Sequence, residues 1–205
     1  MTIRLHRGDL PNLNAYKGAV AIDTETMGLE PRRDRLCVVQ LSPGDGSADV
    51  VQIATGQKQA PNLQKLLADK AVLKIFHYAR FDLAMLFNAF GIMATPVYCT
   101  KIASRLSRTY TDKHGLKDLA KELLGIDLSK QQQSSDWGAD ALTDAQVAYA
   151  ATDVQHLHAL KEKLDSMLAR EGHAGLAAAC FNFLPDRVRL DLAGWADEDL
   201  FSHSV

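Results

Sequence analysis

The sequence predicts an α/β fold: a mixed sheet flanked by helices, built as one domain. Three observations lead there. Short apolar runs rich in β-branched residues recur between Ala19 and Phe76, and helical periodicity dominates after Phe76. Between Ala19 and Leu168 nothing reads as an interdomain linker. A chain of 205 residues with 47% hydrophobic content is enough for one full core.

The elements follow in order. Ala19 to Glu25 reads as a buried strand with acids at its end. Leu36 to Leu41 and Val50 to Ile53 read as the next two strands, joined through Gly44-Asp45-Gly46, a tight-turn signal. The short link between the first two strands predicts an antiparallel meander. Leu73 to Phe76 is a further strand, and Leu83, Leu86, Phe87 and Phe90 give the following helix its apolar face. Thr143 with Gln146 three residues on marks the capping-box start of a long helix, whose apolar arc carries Ala150, Val154, Leu157, Leu160 and Leu164. From Gly172 onward Leu176, Phe181, Phe183, Leu184, Val188, Leu190, Leu192, Trp195, Leu200 and Phe201 exceed what a solvated tail needs. A helical extension that packs on the domain or on another subunit is expected.

Charge and cysteine content narrow the function. A net charge of −2 argues against tracking long nucleic acid by electrostatics alone, though not against a short oligonucleotide. Positive charge is local, at Arg32, Arg33 and Arg35 and again from Lys101 through Arg105, Arg108, Lys113, His114, Lys117 and Lys121. Taken singly these read as a solvated face, with a phosphate track as the alternative. The charged start of the chain is not a signal peptide, and no run approaches membrane-spanning length. Cys37, Cys99 and Cys180 are odd in number and lack a Cys-x-x-Cys pair, as expected of buried free thiols in a reducing cytoplasm.

Four carboxylates carry the chemistry. Side chains on a strand repeat every two residues, so Asp23 and Glu25 share a face. Two adjacent acids in a dry site repel unless a cation lies between them, and carboxylate oxygens suit Mg²⁺ or Mn²⁺. Asp82 falls in the first turns of the helix after Phe76, and Tyr149 stands one turn before Asp153 on one helix face, at the border of the apolar arc. Alone, each motif is more often a solvated turn or a surface pair. All of them in order are hard to obtain by coincidence.

Asp-x-Glu on a first strand, Asp82 after a later one and Tyr149-x-x-x-Asp153 on a late helix resemble the three exonuclease motifs of the DEDD superfamily, tyrosine subclass. Phe76-His77-Tyr78-Ala79-Arg80-Phe81-Asp82-Leu83 and Ser135-Asp136-Trp137 place the resemblance near ribonuclease D, and the length is most similar to the short nano-RNase C type. His77 and Asp82 mimic the His-x-x-x-x-Asp spacing of the histidine subclass, but ahead of the second-motif acid. Where that histidine belongs, this chain has Ala148.

The resemblance implies a ribonuclease H-like fold and a 3′-5′ exonuclease using two divalent cations. Asp23 would be shared by both ions, Glu25 and Asp153 would complete the site of the attacking water, and Asp82 would serve the second ion through waters. Tyr149, with an ordinary pKa near 10, would orient that water rather than act as base. Substrate contacts are implied for Thr26, Leu29 as an apolar wedge between the last two bases, His77, Tyr78 and Lys130. For Leu29 the alternative is a core position, for His77 a structural histidine, and Trp137 is read as the anchor of a polar loop. Short single-stranded RNA down to dinucleotides is the implied substrate, with single-stranded DNA or general 3′-end trimming as alternatives. The resemblance also implies a homo-oligomer, an octameric ring. A catalytically silent nucleic-acid-binding domain is the competing class, disfavoured because a binding module gains nothing from a repulsive acidic cluster.

Overall fold

Strand β2, Ala19–Thr26, organises the molecule, because both of its faces are covered. Val20 and Ile22 enter one apolar core and Ala21 the other. The computed structural model describes residues 2–128, 132 and 134–203. It contains a six-stranded sheet formed by β1 (Ile3–Arg7), β2, β3 (Leu36–Ser42), β4 (Ala48–Gln52), β5 (Leu73–Phe76) and β6 (Val97–Cys99), in the spatial order β1-β4-β3-β2-β5-β6. β2, β3 and β4 are the antiparallel meander expected, and β1, β5 and β6 pair parallel with their neighbours. Gly44 and Gly46 turn β3 into β4 with φ of +92° and +84°, which glycine adopts at little cost.

Helices α1 (Pro61–Ala68), α2 (Ala79–Phe90) and α7 (Ala174–Leu190) contribute to the core around Val20 and Ile22. Helices α3 (Thr100–Ser107), α4 (Leu116–Leu119), α5 (Asp144–Gln155) and α6 (Leu157–Arg170) contribute to the core around Ala21. α4 runs on into a π-type turn over Ala120–Leu124. The result is a mixed sheet with a helical layer on each side, the ribonuclease H-like architecture that the resemblance implies. No helix among the described residues is long and apolar enough to cross a membrane.

The long helix begins at Thr143 as read from sequence. The Gln146 amide donates to the Thr143 hydroxyl at 3.2 Å, and the Thr143 amide donates to the Gln146 side chain at 2.9 Å. It is interrupted once, at His156, where φ is −101° and ψ −7°. Ala150, Val154, Leu157, Leu160 and Leu164 are all fully buried, so the apolar arc survives the break.

Two strands escaped the sequence reading. β6 has three residues, too few for a period to register. β1 looks like a charged leader, but Arg4 Nε and His6 Nε2 both reach Asp49 Oδ1 at 2.7 Å, and the Tyr16 hydroxyl donates to Asp49 Oδ2 at 2.5 Å. A buried carboxylate on β4 makes the strand, and its partner is 45 residues away.

Other expectations need correcting. Cys180 is exposed on α7, whereas Cys37 and Cys99 are buried. Arg108 belongs neither to a solvated face nor to a phosphate track. It is fully buried, donating to Ser104 Oγ at 2.9 Å, to the Lys113 carbonyl at 2.7 Å and to Glu122 at 2.5 Å. The apolar tail divides: Leu184 and Val188 join the core and Phe181 stacks near Tyr98 at 4.6 Å, while Leu176, Trp195, Leu200 and Phe201 stay exposed.

Candidate active site

Parity along β2 distributes the acids. Asp23 and Glu25 follow Ala21 onto the face covered by α5, and Thr24 follows Ile22 onto the face covered by α2. α5 carries Asp153 to the first face, and one oxygen each of Asp23, Glu25 and Asp153 lie within 4.8 Å of one another. α2 carries Asp82 to the second, where its Oδ1 accepts the Thr24 hydroxyl at 2.7 Å. Asp82 therefore lies outside the 4.8 Å group but near enough for its charge to act on Asp23 and Glu25, and it is tied to the same strand by the residue between those two acids. The sequence reading did not single out Thr24.

The bulge in the β2–β3 pairing at Glu25/Thr26 bends the strand just beyond the acids. Gln40, directly opposite Asp23, donates to Asp23 Oδ2 at 3.0 Å and leaves its own Oε1 without a partner among the described residues. This glutamine too was missed, because nothing local marks a cross-strand partner.

The electrostatics are those of a site built for positive charge. Asp23 is pushed well above the ordinary carboxylate range, first by burial and then by Asp82, Asp153 and Glu25. Glu25 is pushed up to about 9, by burial and then by Asp153 and Asp82. Burial raises Asp82 and Asp153 to about 7 each. Four acids crowded at the cost of their own ionisation form a hard-oxygen donor set, and a divalent cation fits it.

Asp23, Glu25, His77, Tyr149 and Asp153 line a cleft of about 310 Å³ together with Lys117, Asp118 and Leu128. The lining residues at the start of α4 carried no signal beyond the basic residues around them. Tyr149 is half-buried, and burial together with the Asp153 charge moves its hydroxyl upward in pKa, away from service as a base. Trp137 is buried against it, with ring centroids 6.1 Å apart, so it does anchor its loop.

His77 ends β5. Its Nδ1 lies 2.9 Å from the Thr100 hydroxyl, which itself donates to the Phe76 carbonyl at 3.2 Å. If the hydroxyl proton goes to that carbonyl, Nδ1 carries the hydrogen and Nε2 keeps its lone pair. Burial and Lys101 push His77 down to about 3, so the ring is neutral. Tyr78 follows in the left-handed region, φ +68°, a strained conformation for a non-glycine residue. Its ring is 46% exposed beneath Lys101 Nζ, 4.4 Å from the centroid.

The loop after β2 displays Leu29 at 84% exposure, which removes the core alternative for this residue. Thr26 is partly committed, its hydroxyl donating to the Gly28 carbonyl at 2.6 Å. A Cβ on Gly28 would sit 2.2 Å from Asp34 Oδ2, and that carboxylate receives the Glu30 amide at 2.9 Å, so any larger residue would have to displace the Asp34 side chain that closes the loop. Lys130, with Gln131 and Gln133, lies outside the described residues.

Comparison with known proteins agrees with this geometry. A family profile described as 3′-5′ exonuclease matches residues 10–169. Ribonuclease D of Gluconacetobacter diazotrophicus is 36% identical over 167 residues, 82% of this chain and 42% of the relative. The chain thus spans less than half the length of that curated relative. Among solved structures, Brucella melitensis NrnC with bound Mg²⁺ is 62% identical with a TM-score of 0.96, and NrnC bound to pGG is 63% identical with a TM-score of 0.97. Each covers 100% of both chains. With the profile covering most of the chain, the chain belongs to the 3′-5′ exonuclease family, and its ribonuclease D relatives are similar to it over the same region.

Proposed function

We propose that this cleft removes nucleotides from the 3′ end of short single-stranded RNA, down to dinucleotides, releasing nucleoside 5′-monophosphates. One observation carries the reading: oxygens of Asp23, Glu25 and Asp153 converge within 4.8 Å beside Tyr149, in a cleft open to substrate. Asp23, Glu25 and Asp153 would hold one divalent cation, and Asp23 with Asp82 a second, as Mg²⁺ or Mn²⁺. When bound, such ions supply positive charge to the scissile phosphate and the leaving oxygen.

The chain's own groups do the rest. Gln40 holds Asp23 and Thr24 holds Asp82, so both acids are oriented before substrate arrives. Tyr149, its proton retained, donates to and aligns the attacking water. Leu29 stands free to insert between the last two bases, where contact with a π-face tolerates any base. Thr26 and Tyr78 flank that position, His77 presents Nε2 as an acceptor for a ribose hydroxyl, and Lys130 is proposed to meet phosphate. The relative bound to pGG supports a substrate this short.

We propose further that the chain is cytoplasmic, consistent with three free cysteines, and works as a homo-oligomer. The exposed Leu176, Trp195, Leu200 and Phe201 support the latter, since closed symmetry would bury them repeatedly. An octameric ring is the form proposed, and light scattering at micromolar concentration that returns a monomer mass would refute oligomerisation.

The function is tested by following the shortening of 5′-labelled RNA and DNA strands of two and more nucleotides down to the labelled mononucleotide, with Mg²⁺, Mn²⁺ or EDTA. Metal-dependent release from RNA dinucleotides is expected. Efficiency that climbs steeply with length would indicate a general trimming enzyme, equal cleavage of DNA would remove the RNA preference, and binding without cleavage would leave a silent domain.

A further inference from the structure

A second cavity begins one residue further along the chain from the first. His77 lines the acidic cleft, and the next residue, Tyr78, lines a cavity of about 330 Å³ shared with Leu29 and Phe81. Its other wall is the tail after α7, represented by Leu192 and Ala196. The volume is in the range of pockets that hold one small molecule rather than a strand.

Asp191 holds the tail in place. Its carboxylate takes a two-point contact from Arg80, Nε at 2.5 Å and Nη2 at 2.9 Å, and a third contact from Arg187 Nε at 2.9 Å. Both guanidiniums then reach the same stretch of backbone: Arg80 donates to the Ala196 carbonyl at 2.8 Å, and Arg187 to the Trp195 and Ala196 carbonyls at 3.0 and 2.7 Å. Arg80 lies in the first turn of α2, two residues before Asp82, and Arg187 lies in the last turn of α7. One carboxylate thereby joins the helix that carries the second-motif acid to the tail that closes the neighbouring cleft. Charge-assisted, two-point geometry of this kind fixes direction as well as distance.

Resting on the proposed exonuclease reading, we propose that Asp191, through Arg80 and Arg187, fixes the tail as the closed end of the substrate cleft and so sets the preference for short strands. With Leu29 between the last two bases, the nucleoside on the 5′ side of the scissile phosphate enters the cavity beside Tyr78 and Phe81, both able to stack on a base. A third nucleotide would continue toward the tail, where Leu192 and Ala196 are held against displacement. Asp191 is a specificity residue that touches no reacting atom.

The experiment compares kcat/KM of wild type and Asp191→Asn on RNA of two, five and ten nucleotides, with thermal unfolding as the folding control. The substitution keeps size and removes the charge that both arginines share. The expected result is that the dinucleotide-to-decanucleotide ratio falls about tenfold, mainly through a lower KM for the longer strands, and that Asp191→Glu restores part of it. A purely structural role would loosen α2 and lower turnover on all lengths alike, leaving the ratio unchanged, and that result overturns the proposal. If Asp191→Asn does not fold, Arg187→Gln, which loosens the tail by removing its contacts to the Trp195 and Ala196 carbonyls while Arg80 keeps its own contacts to Asp191 and Ala196, must shift the ratio in the same direction; an unchanged ratio overturns the proposal equally. Wild type that cleaves no RNA would sink the exonuclease reading itself, and wild type that favours long strands would sink only the length gate.

Discussion

Trp137 packs on Tyr149 with ring centroids 6.1 Å apart and planes inclined by 38°. The segment that carries the tryptophan is tied down on both sides. Gln146 donates to the Asp136 carbonyl at 3.0 Å, Arg35 to the Gly138 carbonyl at 3.0 Å and Gln52 to the Ala139 carbonyl at 2.8 Å. The ring that aims the water in the proposed reaction is thus held by a side chain twelve residues earlier. Trp137→Phe, which keeps an aromatic wall, should lower kcat by about tenfold with little change in KM. Combining it with Tyr149→Phe should give less than the product of the two effects, because both act on one hydroxyl. Multiplicative kinetics would separate the two residues.

Asp23→Asn conserves volume and removes the charge placed centrally in the acidic group. Cleavage should fall on the order of 10³-fold or more while the fold persists. In the absence of metal the variant should be more stable than wild type, since one of four mutually repelling buried carboxylates is gone. About 1 kcal/mol of relief would appear as a rise in Tm of about 2–4 °C, read by calorimetry in EDTA. A lower Tm would mean that the Gln40 hydrogen bond outweighs the repulsion.

The same acids set a pH dependence. Their folded pKa values lie above the unfolded range near 4, so the folded protein binds more protons and is favoured at low pH. That advantage is complete below the unfolded pKa. It is lost as pH rises through about 7 for Asp82 and Asp153, and then about 9 for Glu25. Metal-free protein should therefore lose thermal stability from pH 5 to pH 9, and millimolar Mg²⁺ should flatten the slope by stabilising the ionised forms. A metal-free Tm that rises over that interval contradicts the electrostatics described here.

Arg108→Ala separates fold from substrate binding. Its guanidinium is fully buried and satisfies the Lys113 carbonyl and Ser104. Glu122 is 41% exposed, so the ion pair itself contributes modestly and the loss comes chiefly from packing and unpaired buried groups. Urea unfolding should show about 2–4 kcal/mol of destabilisation. The salt dependence of RNA binding should not change, and a reduced slope would return Arg108 to a phosphate track.

What was legible in the sequence was whatever local chemistry writes in a short window. Ala19-Val20-Ala21-Ile22 announces a buried strand, Thr143 and Gln146 announce a helix start, and strand parity alone puts Asp23 and Glu25 on one face. The order of acids and Tyr149 located the site, because each motif keeps its spacing within one element. Tertiary structure decided everything that depends on which elements meet. Only the sheet order brings α5 over β2 so that Asp153 joins Asp23 and Glu25, while Thr24, on the opposite face, takes Asp82. Arg108 and Arg105 look alike in the sequence, yet one is fully buried and the other is not, and β1 is a strand because Asp49 waits for Arg4 and His6. Neither fact is encoded in a window of neighbours. A residue's own type fixes what it can bond, but burial and partner are set by segments tens of residues away, and those are settled only when the chain packs.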